Sequence, residues 1–202
     1  MTVPRTYTMT ARARAQEATA GRVLAAAREA FIKDPYEDVT LARIAERAGV
    51  SHQTLLNHFG SKERLFAAFG EELAGEIDRI RERATAGDPR SVAHALLTQY
   101  ERFGDANARW DLLEERLPVF AGVIQEARRD HRAWLERMFA PWLDVPVRER
   151  NHRLALLYVA TDVKTWKLLR RQLGLGRRTT GELMLRMVEA ALDERTPKEV
   201  SP

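Results

Sequence analysis

Cysteine is absent from the 202 residues. That removes disulfides, iron–sulfur clusters, thiolate zinc sites and thiol nucleophiles together, and it suits a reducing cytoplasm. No apolar run approaches the roughly 18 residues that a membrane span needs. The N-terminal stretch MTVPRTYTMTARARAQ is polar, with scattered arginines, and has no apolar centre of the kind a secretory signal requires. A Gly-rich phosphate loop, a Gly-x-Ser-x-Gly elbow and a His-Glu-x-x-His pair are all missing. Glu149-Arg150-Asn151-His152 does fit the Glu-x-x-His spacing that carboxylate-bridged di-iron bundles place on two helices, but it occurs once, at an expected helix start. The five histidines are far apart. Neither an enzyme, a metal site nor a cofactor is expected.

What is present is a globular composition, 45% hydrophobic and 31% charged. The net charge is +4, and three of those charges belong to residues 1–64, which points to a polyanion at that end. Apolar residues recur at helical spacing almost throughout, and no alternating strand pattern stands out. Val23, Leu24, Ala27, Ala30 and Phe31 share a face of a first helix, 17–33, which Pro35 stops. Thr40 and Ser51 read as N-caps of two short helices separated by Gly49, and Ser61 caps a fourth that reaches about residue 84. Ala86-Gly87-Asp88-Pro89 reads as a linker. Beyond it the pattern predicts helices at 90–103, 106–116, 118–143, 148–173 and 178–194, with a break at Gly104-Asp105. The expectation is an all-α chain of about nine helices. Its parts are a flexible basic arm (1–15), a helix-turn-helix head (16–62), a connecting helix (63–84), a C-terminal helical ligand and dimerisation domain (85–196) and a loose tail (197–202).

Residues 40–59 have the proportions of a helix-turn-helix. Ala45 is small where two helices cross, Gly49 permits a sharp turn, and Ile44, Val50 and Leu55 fill the angle between the helices. That leaves Ser51, His52, Gln53, Thr54, Asn57 and His58 on the outer face. Gln and Asn can bond an adenine edge in two places, and His or Ser can meet several base edges. The segment VTLARIAERAGVSHQTLLNHFGSKERLF, residues 39–66, resembles the TetR family of bacterial transcriptional regulators. That resemblance implies a reading helix in the major groove, with His52, Gln53, Thr54 and Asn57 nearest the bases. It implies phosphate contacts at Thr40, His58 and Lys62, and an Arg12/Arg14 arm toward a neighbouring minor groove. Two positions depart from the family pattern. Leu56 stands where a phosphate-touching Tyr is common, and Pro35 stands where a Gly is usual.

The rest of the chain is similar to the family in length and helix count only. Its large rings, Tyr100, Phe103, Trp110, Trp134, Tyr158 and Trp166, with Asp162 among them, are the candidates for lining an apolar effector pocket. A lipophilic or cationic-amphipathic small molecule is the expected occupant. The alternative for each ring is plain core. The last two helices carry apolar stripes that include Leu154, Leu157, Leu168, Leu183, Met187 and Ala191; in the resemblance such a pair forms a dimer interface. One short reading helix touches few bases, and two on a twofold axis multiply specificity, which also favours a homodimer on double-stranded, palindromic DNA. The functional expectation is a repressor released by an effector, the alternative a DNA-binding dimer without a small ligand.

Overall fold

Each helix boundary in the N-terminal unit has a local cause. The computed structural model describes residues 11–117 and 120–193, and among these all regular structure is helical. The chain divides into two compact units, Met1–Leu73 and Ala74–Pro202. In the first, α1 (Ala11–Lys33) buries Val23, Ala27 and Phe31 completely, a row at four-residue spacing. Asp34 closes it by donating to Ala30 O at 2.8 Å, and Pro35 then opens a 3-10 turn, Tyr36–Asp38. The start at Ala11 places Arg12 and Arg14 in a helix, where an arm was expected; residues 1–10 of that arm lie outside the described residues.

α2 (Leu41–Ala48) and α3 (His52–Phe59) follow, capped by Thr40 and Ser51 as the sequence indicates. α4 (Lys62–Arg81) starts at Ser61, whose Oγ accepts from Arg64 N at 3.2 Å. Its first turns supply Leu65, Phe66 and Phe69 to the core of this unit. Phe31 lies edge-on to Phe66 at 5.0 Å and stacks on Tyr36 at 5.9 Å, so the head is sealed by an aromatic cluster.

In the second unit, Asp88 caps α5 (Pro89–Trp110), with Pro89 in the first turn where its missing N–H costs nothing. α6 (Leu113–Arg116), α7 (Ala121–Met138), α8 (Val147–Thr161), α9 (Val163–Lys167) and α10 (Arg177–Asp193) complete it. A 3-10 turn, Ala140–Trp142, follows α7, and a π-helical turn, Leu168–Gln172, follows α9. The core gathers Leu96 and Tyr100 from α5, Trp134 and Leu135 from α7, Leu157 from α8 and Val188 from α10.

Two expected boundaries are corrected. Gly104 does not break a helix, because α5 runs through it. A Cβ there would lie 2.4 Å from the Trp166 ring, so the residue makes room for an indole rather than a turn. Conversely, the helix expected over 148–173 is interrupted at Asp162, whose backbone is extended (φ −71°, ψ 148°). Its carboxylate accepts from Lys164 N at 2.7 Å and caps α9.

The expected dimer residues also divide. Leu154, Leu157 and Ala191 are 2%, 0% and 4% exposed. They are spent on the core of their own unit, because α8 packs against α10 within the chain. A partner subunit could not reach them without opening that core. Leu183 and Met187 are half-buried, and Leu168 is exposed.

Candidate nucleic-acid interface

The turn between α2 and α3 sets the attitude of α3. Gly49 takes the left-handed conformation (φ 66°, ψ 40°). Its N–H donates to Glu46 O at 3.1 Å, and Val50 N donates to Ala45 O at 3.0 Å. This paired closure is a Schellman motif, and it satisfies carbonyls that a simple helix end would leave open. Beneath α3, Leu55 is fully buried, while Leu56 and Phe59 are half-buried. Arg22 of α1 donates from Nε to Ala48 O at 3.3 Å and ties the end of α2 to the first helix.

His52, Gln53, Asn57 and His58 are exposed on the outer face, as the spacing predicts. Ser51 and Thr54 are differently employed. Ser51 Oγ accepts from Thr54 N at 3.0 Å and lies 2.8 Å from Thr54 Oγ1, so both hydroxyls serve the cap. Gln53 Nε2 donates to Asn57 Oδ1 at 3.0 Å. The two amides are thus linked, with Gln53 Oε1 free to accept and Asn57 Nδ2 free to donate. That is the complement of an adenine edge. Thr40 is exposed, its Oγ1 accepting from Arg43 N at 3.3 Å.

Lys62 is more anchored than its sequence context suggests. Its Nζ lies 4.1 Å from the Tyr36 ring centre and donates to Glu37 O at 3.5 Å. Tyr36 in turn donates to Glu63 Oε1 at 3.3 Å. Burial lowers the Lys62 pKa, against the opposing pull of Glu37 and Glu63.

In the second unit the expected pocket residues separate. Trp166 is core: it packs on Gly104 and donates from Nε1 to Glu101 Oε1 at 3.2 Å. Phe103 is buried, and Trp110 is half-buried. Tyr100, Trp134 and Tyr158 instead border a buried polar cluster that the sequence reading did not assemble. Arg81, Gln99, His131 and Thr161 are its members, exposed by 8%, 3%, 6% and 0%. Arg81 Nε donates to Gln99 Oε1 at 3.0 Å and its Nη2 to His131 Nδ1 at 3.2 Å. His131 Nε2 lies 3.1 Å from Thr161 Oγ1, and Tyr100 donates to Thr161 O at 2.7 Å. Because a guanidinium can only donate, Nδ1 must be the bare nitrogen and Nε2 the protonated one. Burial, aided by the nearby Arg81 charge, pushes the His131 pKa down to about 3. The signal for both residues was their helical phase: Leu73, Ile77 and Arg81 form one row of α4, and His131, Trp134 and Leu135 one face of α7. Asp162, expected to anchor a ligand, caps α9.

The motif Glu149-x-x-His152 holds no metal constellation: Glu149 accepts from Arg153 Nη2 at 2.7 Å, and no group of three or more His, Asp or Glu among the described residues could hold an ion. No helix among them is long and apolar enough to cross a membrane.

Comparison with known proteins bears on the head and on the fold. Residues 23–69 match the family described as bacterial regulatory proteins, tetR family. The transcriptional repressor AcnR of Corynebacterium diphtheriae is 34% identical over 135 residues, 67% of this chain and 64% of that protein. The chain spans about half the length of the AcnR proteins of two further Corynebacterium species that it matches, 48% and 52%. Among solved structures, a transcriptional regulator from Rhodococcus sp. Rha1 superposes with a TM-score of 0.69 at 20% identity, covering 86% of this chain and 95% of that one. The flavonoid-responsive regulator FrrA superposes with a TM-score of 0.55 at 25% identity, covering 86% and 93%.

Proposed function

We propose, for a chain that is a TetR-family regulator by its head, that it binds a palindromic operator in double-stranded DNA as a homodimer, represses there, and is released by a small-molecule effector. The observation that carries this reading is the outer face of α3: exposed His52, linked Gln53 and Asn57, and exposed His58 above a fully buried Leu55. Base edges in the major groove are read by such groups, while Thr40, His58 and Lys62 meet phosphates. Repression is supported by the likeness to AcnR. The homodimer is supported by apolar side chains left in water on the second unit, Val159 at 63%, Leu168 at 47% and Leu173 at 60% exposure. Effector response is supported by the aromatic and polar cluster around Tyr100, Trp134 and Tyr158, and by the likeness to the flavonoid-responsive FrrA. An effector that binds the DNA-free shape more tightly lowers operator affinity by that difference and no more.

The test is selection of bound sequences from a random duplex pool, followed by gel-shift titration at fixed salt. A twofold-symmetric site is expected. Gln53→Ala or Asn57→Ala should bind it roughly tenfold or more weakly and lose preference at one base pair per half-site. Selection of no symmetric site, or variants that bind as the parent does, overturns the reading.

A further inference from the structure

Among the described residues, Arg81 is a buried charge without a counter-charge. Its two bonded partners, Gln99 and His131, are neutral, and its guanidinium carbon lies 5.0 Å from the centre of the Trp134 ring. Among the described residues no carboxylate lies within ion-pair distance of it; Asp78 and Asp130, which act on it through space, are exposed. A guanidinium stays ionised at neutral pH even when burial weakens its hold on the proton, as it does here. Nature rarely leaves such a group unpaired, because the desolvation of an ion is recovered only by an opposite charge or by a full set of acceptors.

The surrounding groups satisfy one another. Gln99 accepts from Nε, His131 bridges from Nη2 to Thr161, and Thr161 back-bonds to Leu157 O at 2.7 Å. The extended backbone at Asp162 ends α8 and leaves the Thr161 carbonyl for the Tyr100 hydroxyl. Gln99 Oε1, both ring nitrogens of His131 and the Thr161 hydroxyl each have a partner, and what the cluster lacks is the negative charge that would balance Arg81. Beside the cluster stands a flat apolar wall. His131 lies edge-on to Tyr158 at 5.2 Å and stacks against Trp134 at 6.2 Å, and Tyr158 is half-buried.

We propose that this cluster is the seat of a small organic monocarboxylate with a flat or slender apolar body, its carboxylate on Arg81 and its body along Tyr158. The inference rests on the effector-responsive reading above and names the chemistry of that effector. It reverses the sign of the cationic amphiphile that the aromatic rings with Asp162 among them suggest.

The test uses the purified full chain and four probes, benzoate, phenylacetate, indole-3-acetate and octanoate, each beside its neutral primary amide. Calorimetric titration and thermal melting are the readouts. At least one carboxylate is expected to bind and raise the melting temperature, with its amide roughly tenfold or more weaker. Arg81→Met should abolish that response. Arg81→Lys keeps the charge without the fork and should retain a weakened response. Failure of all four carboxylates, equal binding of acids and amides, or an undiminished response in Arg81→Met overturns the proposal. The acid–amide comparison needs no variant, so it stands even if Arg81→Met does not fold. Gel shift on the same preparation separates the two readings. Carboxylate binding by a protein that binds no DNA supports the site and overturns only the function above.

Discussion

A hydrogen atom at Gly104, in place of a methyl, makes space for Trp166. In most helix interiors replacing glycine with alanine stabilises by up to about 1 kcal/mol. Here the new carbon would meet a rigid ring at 2.4 Å, and overpacking of that kind costs roughly 1–3 kcal/mol. Gly104→Ala should therefore lower the urea midpoint, whereas Gly122→Ala, with nothing within 4 Å, should not. Lys62 carries a second prediction. Poised on the Tyr36 ring, it offers one point charge at the start of α4, and Lys62→Ala should weaken binding to all DNA sequences alike. The slope of log affinity against log salt should fall by roughly 1, which a gel-shift series at several salt concentrations measures.

At the scale of elements, what was legible was what the local chain decides. Thr40, Ser51 and Ser61 cap helices, Gly49 turns the chain, and Pro35 ends α1 because these effects involve residues within a few positions of one another. The same holds for the outward face of α3, since burial of Leu55 fixes where Gln53 and Asn57 point. What was not legible depends on neighbours distant in sequence. Gly104 reads as a breaker until the indole from 62 residues later is in place, and Asp162 looks like mid-helix until it is seen capping α9. Likewise the stripes of α8 and α10 announce burial but not against what: a partner or their own chain suits Leu154 and Leu157 equally in the sequence, and they face their own core. The caps are testable on their own. Ser51→Ala should cost about 1 kcal/mol in the head and fray the start of the reading helix, visible as faster amide exchange at Gln53 and Thr54.

For the molecule as a whole, acid stability is set in part by His131. Unfolded, its imidazole takes a proton below about 6.5; folded, it resists until about 3. The contribution is thus complete above pH 6.5 and is lost progressively as pH falls toward 3, at about 1.4 kcal/mol per unit. The urea midpoint should drop between pH 6.5 and pH 4, and His131→Gln should flatten that slope. Assembly makes a separate prediction: Leu168→Glu places a charge on an exposed apolar residue and should yield a monomer by sedimentation, with the melting temperature of the isolated chain little changed. The indoles are distributed unevenly between the units. Trp110, Trp134, Trp142 and Trp166 all follow residue 73, where the first compact unit ends, and none precedes it. The protein thereby carries its own optical label on one half only. Red-edge-excited emission sees the C-terminal unit melt while the reading head stays dark, whereas far-ultraviolet dichroism counts the helices of both. Any gap between the two curves is a direct measure of how independently the halves come apart.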